Sequence, residues 1–262
     1  MKETRWLGVL VIAMLGSGLA QADFVGFGDF SDFSVNKADG ASGPELIGDT
    51  IRITNQAVHE SRSVFHLQRQ NVTQFEASYT YRFVGDTPIG IGFGAAFVLQ
   101  NAANGPMTVA APDVSGVATN FGYTDFFGTF HPSIGVTLEA GSLGAGSSST
   151  GQYVDGGFGG SSSTSPVNIF SGNPIDVRLS YNGTLLREII TDTVTGATFQ
   201  QGFFVDIPAR VGGNMAYVGL TAATRGNNMT EQYFSDLTFS GMPEPSAVFG
   251  LILGTVALYR RR

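Results

Sequence analysis

The chain has 262 residues, a formal net charge of −7, no cysteine and only 13% charged residues. The length suits one large domain, the lack of cysteine excludes disulfides, thiolate metal sites and a cysteine nucleophile, and an acidic surface disfavours nucleic acid as a partner. The 36 glycines and 21 phenylalanines, without any run of helical periodicity in the body of the chain, predict a β-rich extracellular protein rather than a helical enzyme.

Residues 1–22 have the features of a secretory signal peptide. Lys2 and Arg5 precede an apolar run from Trp6 to Leu19, and Ala20-Gln21-Ala22 has the small-x-small pattern of a cleavage site. We therefore predict export through the inner membrane and a mature chain that begins at Asp23. A permanent anchor is the alternative, but the apolar run is short for a membrane span of about 20 residues.

Alternating or short apolar runs between turn residues predict strands throughout the body. The central strand is Ile89–Gln100, where alternating glycines disfavour a helix and indicate the close approach of another backbone or layer. The other predicted strands are Leu46–Asn55, Ser63–Leu67, Phe75–Val84, Ser133–Ala140, Ile175–Tyr181, Leu185–Thr191, Gln200–Ile207, Ala216–Ala222 and Tyr233–Ser240. Roughly eleven or twelve strands without helices predict an all-β sandwich of two sheets.

One long segment between the predicted strands, Gly141–Ser165, is composed mostly of glycine and serine. Because strand sequence resumes directly after it, we predict a long flexible loop within one domain. A flexible linker between two domains is the competing interpretation.

Several strand segments occur in a distinctive order along the chain: Ile51–Thr54, Gly94–Leu99, Ser133–Glu139, the hairpin Val177–Gly183, and Ala216–Thr224. The second reads Gly-Ala-Ala-Phe-Val-Leu, and the last reads Ala-Tyr-Val-Gly-Leu-Thr-Ala-Ala-Thr. Together they resemble the L-type (legume-like) lectin domain over roughly residues 23–241. The resemblance implies a concanavalin-A-like jelly-roll sandwich of two antiparallel sheets that binds carbohydrate through loops at one end.

The resemblance also implies where the sugar site lies. In the family an aspartate just before the Gly-x-Ala-Phe glycine and the loop after Ala-Ala-Thr contact the sugar. Here Phe93 replaces that aspartate, so Asp86 is the expected carboxylate. Residues of the later loop that are expected to contact sugar are Arg225, Gly226 and Asn227.

Calcium and a transition metal hold these loops in the family. The acidic residues that stand near the corresponding places are Glu139 and Asp155. Calcium takes about six to eight oxygen ligands, which two carboxylates do not supply. We therefore expect the double-metal site to be lost, while a bound Ca²⁺ ion held by Glu139 and Asp155 stays open.

The C-terminal residues 242–262 form a separate unit. Pro243-Glu244-Pro245 is followed by the apolar segment Ser246–Tyr259 and by Arg260, Arg261 and Arg262. These three parts, with positive charge kept on the cytoplasmic side, resemble the PEP-CTERM sorting signal of Gram-negative, biofilm-forming bacteria. The resemblance implies an apolar helix, transient or permanent membrane anchoring through 246–259, an exosortase-like processing enzyme as partner, and delivery to the cell surface or extracellular matrix. A plain membrane anchor is the alternative.

Sequence motifs of catalysis are missing from the chain. It has no strand of alternating acids such as glycoside hydrolases use, no Gly-x-Ser-x-Gly, no phosphate-binding glycine loop and no His-Glu-x-x-His. We therefore expect a protein that is not an enzyme and that binds exopolysaccharide or another glycan. The alternatives are a structural matrix protein that uses the lectin fold as a scaffold without sugar affinity and, third, a glycoside hydrolase acting on polysaccharide.

Overall fold

The computed structural model describes residues 24–38, 42–85, 93–112, 121–124, 127–144, 146–157, 159–224 and 230–242. The strands in these ranges are β1 Phe24–Val25, β2 Phe33–Lys37, β3 Glu45–Ile47, β4 Thr50–Asn55, β5 Ser61–His66, β6 Gln70–Asn71, β7 Phe75–Val84, β8 Phe93–Gln100, β9 Ser133–Ala140, β10 Ser148–Val154, β11 Ser161–Ser163, β12 Ile175–Tyr181, β13 Leu185–Asp192, β14 Thr198–Phe204, β15 Met215–Ala223 and β16 Glu231–Gly241. A 3₁₀ turn spans Gly105–Met107, and the one α-helix of the described ranges, α1, spans Ile207–Val211.

The strands form two antiparallel sheets that pack face to face. Sheet A has the order β14-β13-β12-β7-β16-β4-β3, with β1 beside β16; sheet B has the order β11-β10-β9-β8-β15-β5-β2, with β6 beside β15. Alternate side chains of both sheets meet in one buried core, for example Tyr79, Val177 and Phe234 of sheet A with Phe97 and Leu220 of sheet B. This arrangement confirms the predicted all-β sandwich of two antiparallel sheets.

A third layer covers the other face of sheet B. Phe121, Tyr123 and Phe130, from the chain between β8 and β9, are buried there and form a second apolar cluster. Tyr123 lies so close to the sheet that a Cβ atom on Gly135 would stand 2.7 Å from its ring. Its hydroxyl shares a 2.8 Å hydrogen bond with Ser133 Oγ. The outer face of sheet B is therefore partly an interior surface.

The central strand is confirmed over the residues that the structure describes. β8, Phe93–Gln100, lies between β9 and β15 in the middle of sheet B, while Ile89–Gly92 fall outside the described residues. The strands predicted at Phe75–Val84, Ser133–Ala140 and Ile175–Tyr181 have the predicted bounds.

The predicted flexible loop Gly141–Ser165 is wrong, because this segment contains β10 and β11. β10 pairs with β9 along its whole length, and β11 pairs with β10. Small residues are needed there, since a Cβ atom on Gly151 would lie 2.6 Å from the carbonyl oxygen of Gly160. At Gly151 the small residue therefore reflects the close approach of a neighbouring backbone. The linker interpretation is also wrong, because the segment pairs within sheet B.

The expectation of no helix fails at α1, a single short helix. Asp206 accepts a 3.0 Å hydrogen bond from the backbone N–H of Ala209 at its start, and Gly212 ends it in the left-handed conformation at φ 75°. Five residues are too few to produce a periodic pattern. Among the described residues no helix has the length and apolar character needed to cross a membrane, and Ser246–Tyr259 lies outside them.

Candidate functional site

Three loops leave sheet B at the same end of three adjacent strands. β8 begins with Phe93 opposite Ala140, the last residue of β9, and Gly94 pairs with Ala223, the last residue of β15. The segments before β8, after β9 and after β15 therefore start side by side. We call this end of the sandwich the loop-bearing end.

The glycine of the lectin-like motif is required by the backbone at this end. Gly94 has φ +139°, and a Cβ atom there would lie 2.0 Å from the carbonyl oxygen of Leu138 and 3.4 Å from the ring of Phe121. Any larger residue would push β8 away from β9. The prediction that glycine marks the close approach of another backbone or layer is confirmed at this position for the backbone of β9.

A buried ion pair fixes the neighbouring strand β5. Glu60 and Arg62 are both fully buried, and Arg62 Nη2 lies 2.9 Å from Glu60 Oε1. Arg62 also donates to the carbonyl oxygen of Ser42 at 3.0 Å, and Glu60 Oε2 accepts from the backbone N–H of Asn55 at 2.9 Å. The pair therefore ties β5 to the segment before β3 and to the end of β4.

The first residue after β15, Thr224, anchors the start of the following loop to the backbone of Glu60. Its backbone N–H donates to the carbonyl oxygen of Glu60 at 3.0 Å, and its hydroxyl accepts from the Glu60 N–H at 2.9 Å. The same hydroxyl donates to the carbonyl oxygen of Ala57 at 2.7 Å. The loop after β15 therefore starts from a fixed point.

The end of the same loop, at Thr230, is held by side chains of sheet A. Thr54 Oγ1 donates to the carbonyl oxygen of Thr230 at 2.8 Å, and Gln232 Nε2 donates to that of Ala223 at 3.1 Å. Gln232 Oε1 in turn accepts from the buried hydroxyl of Tyr81 at 3.0 Å. Buried polar contacts that cross between the two sheets thus hold both ends of the loop after β15.

The predicted ligand Glu139 is fully buried and lies on the outer face of sheet B. Its Oε1 accepts a 2.5 Å hydrogen bond from Thr137 Oγ1, and its Oε2 accepts from Ser161 Oγ at 2.5 Å and Ser149 Oγ at 3.4 Å. Burial, followed by the charge of Glu139, raises the pKa of the Tyr153 phenol, which contacts Ser161 Oγ at 3.0 Å. The carboxylate therefore joins β9, β10 and β11 through hydroxyl groups. We call these five residues the Glu139 cluster.

Asp155, the second predicted ligand, lies at the opposite end of the β9–β10 pair. Its Oδ1 accepts from the backbone N–H of Ser133 at 2.9 Å and lies 3.1 Å from Nδ1 of the exposed His131. Ser133 and Glu139 are six residues apart on β9, which corresponds to a distance of roughly 20 Å at about 3.3 Å per residue. The structure does not bring the two predicted metal ligands together.

The donor set around Glu139 does not fit a calcium ion. Calcium prefers about six to eight oxygens, supplied mainly by carboxylates, carbonyls and water. Glu139 is the one carboxylate of its cluster, and the described ranges contain no group of three or more His, Cys, Asp or Glu side chains arranged to hold a metal. The hydroxyl groups instead satisfy the carboxylate directly.

The predicted sugar-binding residues and the sorting signal lie outside the described residues. The sugar-binding set comprises Asp86, Arg225, Gly226 and Asn227. The sorting set comprises Pro243, Glu244, Pro245, Arg260, Arg261 and Arg262. For the sugar-binding set the structure brings together the strand ends from which both loops start.

A second buried carboxylate, Glu188, lies in the core between the sheets. It is fully buried on β13 of sheet A and accepts from Gln201 Nε2 at 2.7 Å and from Thr150 Oγ1 of sheet B at 3.0 Å. Burial raises its pKa from 4.5 to about 7, and the hydrogen bonds from these two neutral donors offset only part of that rise. Glu188 is therefore a polar link across the sandwich whose charge depends on pH near neutrality.

Sequence reasoning missed the structural roles of Glu60, Arg62 and Glu188. Two of these positions carry a detectable signal, because each lies two residues before an aliphatic residue that faces the core from the same strand. Arg62 has the phase of Val64, and Glu188 has the phase of Ile190. In a chain with so few charges, an ionisable residue at an inward strand position indicates a buried polar network.

No family model and no curated protein matches the chain. Three similar solved structures are lectin I-B4 from Griffonia simplicifolia in its metal-free form (16% identity, TM-score 0.65, 85% of this chain and 100% of that one), the lectin from Bauhinia forficata in complex with GalNAc (14%, 0.64, 85% and 99%) and arcelin-5, a lectin-like defense protein from Phaseolus vulgaris (12%, 0.65, 86% and 99%). At these identities the likeness establishes the fold alone. The chain has the fold of the legume lectins, a concanavalin-A-like jelly-roll sandwich.

Proposed function

We propose that this protein is a non-enzymatic carbohydrate-binding protein that contacts a glycan through the loops of its loop-bearing end. The observation that carries the proposal is the side-by-side start of three loops from β8, β9 and β15 on fixed strand ends. The fold supports it, and one similar structure, the Bauhinia forficata lectin, is described in complex with GalNAc.

The residues proposed to contact the glycan have suitable chemistry. The Asp86 carboxylate accepts hydrogen bonds from sugar hydroxyls, the Arg225 guanidinium donates them, and the Asn227 amide does both. The Gly226 backbone adds a donor and an acceptor without side-chain bulk. Loops that start from fixed strand ends lose less conformational entropy on binding, which increases affinity.

We further propose that the glycan site is organised without calcium. The Glu139 cluster joins β9, β10 and β11 through hydroxyl groups. Glu60, which is paired with Arg62, holds Thr224 at the start of the loop after β15. These contacts supply the positioning that a metal ion would otherwise provide. Glu139 therefore acts on the glycan only through the backbone that it fixes.

The same proposal includes export and sorting, supported by the sequence of both ends. The signal peptide 1–22 directs export, and the segment 242–262 delivers the domain 23–241 to the cell surface or matrix through an exosortase-like enzyme. Mass spectrometry of the cell-surface protein tests both steps. A mature N-terminus at Asp23 and a C-terminus near Pro243 are expected, and retention of Arg262 would contradict the C-terminal cleavage.

Glycan binding is tested with the purified full-length chain on glycan arrays and in polysaccharide pull-down assays, with and without calcium. Arg225→Ala and Asn227→Ala are expected to lower binding at least about tenfold, the loss of one or two hydrogen bonds to charged or amide groups. Matched controls are Arg210→Ala and Asn214→Ala, which change exposed residues at the opposite end of β15. No binding under either condition would contradict the proposal.

A structural matrix protein is the second candidate. It is favoured by the complete enclosure of Glu139, whose oxygens accept from hydroxyl groups and so are not open to the metal ion that the lectin resemblance implies beside a sugar site. Unchanged retention in the matrix after both loop substitutions, together with no glycan binding by the parent, would establish this second function. Release of reducing ends from polysaccharide by the pure protein would instead favour a glycoside hydrolase.

A further inference from the structure

The chain enters and leaves the sandwich at the end opposite to the loop-bearing end. β16 starts at Glu231, beside the loop after β15, and reaches Gly241 after 11 residues. β1 is antiparallel to it, with Phe24 opposite Phe239, so the chain before β1 and the chain after β16 leave side by side. We call this the tail-bearing end. At about 3.3 Å per residue along β16, it lies roughly 33 Å from the loop-bearing end.

Sheet A presents an exposed aromatic side chain at the tail-bearing end. One row of paired residues crosses the sheet there, in the order Gly241, Phe75, Tyr181, Leu186 and Phe203. Phe204 follows at the end of β14, and its side chain is 87% exposed. Because neighbouring strands are about 4.8 Å apart, Phe204 lies roughly 19 Å across the sheet from the point where the chain leaves β16.

Sheet B and the exit of the chain add three more exposed apolar side chains. Leu67 directly follows β5 and Met215 starts β15, and both positions are at the strand ends remote from the loop after β15. They are 45% and 44% exposed, and Met242 is 38% exposed. The Met242 N–H donates to the carbonyl oxygen of Gln74 at 2.8 Å, which fixes the exit of the chain. We call Leu67, Phe204, Met215 and Met242 the apolar rim.

The exposed charges around the apolar rim are of both signs. They include Asp32, Arg69, Asp206 and Arg210. Two of them already make contacts within the domain, since Arg69 lies 5.0 Å over the ring of Tyr217 and Asp206 caps α1. A strongly charged partner is therefore not favoured at this end. Exposed apolar side chains among mixed polar residues instead indicate a surface that contacts an apolar partner.

The sequence that follows Met242 indicates which partner this is. Three residues, 243–245, separate Met242 from the apolar segment Ser246–Tyr259. An extended chain spans at most about 3.6 Å per residue, so Ser246 lies within about 14 Å of Met242. With this segment anchored in a membrane as proposed, the tail-bearing end is held within about 14 Å of the membrane interface. The short connection limits the distance, and the apolar rim selects the orientation.

We infer that, while residues 242–262 remain attached, the tail-bearing end lies on the lipid surface through its apolar rim and the loop-bearing end points away from the membrane. Removal of the rim side chains from water stabilises this orientation. It holds the loops roughly 33 Å above the bilayer, where extracellular polysaccharide can reach them. The inference rests on the anchoring that is part of the proposed function, but it does not require that the loops bind a glycan.

Fluorescence quenching by spin-labelled lipids tests this orientation on the chain that keeps residues 242–262. The chain has no cysteine, so Met215→Cys and Val58→Cys each accept one bimane label. Both positions are 44% exposed, and Val58 is at the loop-bearing end, where Thr224 donates to the carbonyl oxygen of the neighbouring Ala57. In phosphatidylcholine nanodiscs with nitroxide headgroups, the label of Met215→Cys is expected to lose most of its emission, whereas that of Val58→Cys keeps it.

Two further substitutions in the labelled Met215→Cys chain test the contact of the apolar rim. Phe204→Glu removes one buried aromatic side chain from the contact, which shifts the contact equilibrium at least about tenfold and restores emission. Val194→Glu is the matched control, because Val194 is 68% exposed in the turn between β13 and β14, at the other end of sheet A. Equal quenching in low and high salt is also expected for an apolar contact. Circular dichroism verifies the folding of each variant.

The possible results separate this inference from the proposed glycan binding. Equal emission from the two labels in nanodisc-bound protein, or stronger quenching of the Val58→Cys label, would overturn the orientation. Quenching that persists unchanged in Phe204→Glu would overturn the contact through the apolar rim. A chain that does not enter nanodiscs, as measured by size-exclusion chromatography, would contradict the anchoring and the inference together. None of these results changes the glycan binding that arrays measure.

Discussion

The replacement of Glu188 by glutamine tests the energetics of the sandwich core. This side chain is fully buried between the sheets and contacts two neutral donors, Gln201 and Thr150. Burial raises its pKa from 4.5 to about 7. Glutamine has nearly the same shape and keeps an acceptor oxygen, so Glu188→Gln removes the charge with little change in packing.

The sign and size of the effect follow from the two pKa values. Below pH 4.5 the carboxyl group is protonated in both the folded and the unfolded chain, and its ionisation does not affect stability. As pH rises from 4.5 to about 7, the folded chain retains a proton that the unfolded chain has released, so the free energy of unfolding falls. At about 1.4 kcal/mol per pH unit, the loss levels off above pH 7 at about 3 kcal/mol.

The assay is urea unfolding of the parent and the Glu188→Gln variant across a pH series. Equal stability is expected near pH 4, with the variant more stable by up to about 3 kcal/mol at pH 8. Glu76→Gln, an exposed change on the outer face of sheet A, is the control and is expected to show no such divergence. A difference that does not vary with pH, or a parent that is the more stable protein at pH 8, would refute the reasoning.

Three further predictions concern the loop-bearing end. Arg62→Ala leaves the buried Glu60 charge unpaired and is expected to lower the free energy of unfolding, measured by urea titration, by about 3–5 kcal/mol. The control Arg52→Ala breaks the partly exposed ion pairs with Glu45 and Glu231 and is expected to lower it by at most about 1 kcal/mol. Gly94→Ala is expected to lower the free energy of unfolding by more than about 3 kcal/mol, because its Cβ atom would clash with the carbonyl oxygen of Leu138. The control is Gly213→Ala, where a Cβ atom meets open space, and it is expected to keep the Tm of the parent within a few degrees. Neither calcium nor a chelator is expected to shift the Tm of the parent; an increase of several degrees with calcium would show a site that involves other residues.

Much of the fold is predictable because its core follows simple alternation. β12, Ile175–Tyr181, reads as a strand since every second residue enters the core. β10 is not predicted by this alternation, because the small residues Ser149 and Gly151 occupy the buried positions of its outer face. Serine and glycine are selected there by space and by the needs of Glu139, neither of which a local pattern contains.

The candidate site is less predictable, because its geometry depends on strand register. Glu139 stands out in the sequence as an acidic residue at the end of a strand. Its partners Ser149 and Ser161 lie on two later strands, and only the pairing of β9, β10 and β11 brings all three together. Asp155, which follows β10 in sequence, is carried to the opposite end by the same pairing.

This arrangement changes what Glu139 can be expected to do. A carboxylate that holds a metal keeps its oxygens available for the ion, but here the hydroxyls of Thr137, Ser149 and Ser161 donate to them. The same end of the sheet is held by the buried pair of Glu60 and Arg62. If these groups position the loops, then glycan affinity and thermal stability must respond together to their substitution and must both be insensitive to a chelator. Loss of affinity in chelator at unchanged stability would instead assign loop positioning to an ion held by residues of the loops themselves.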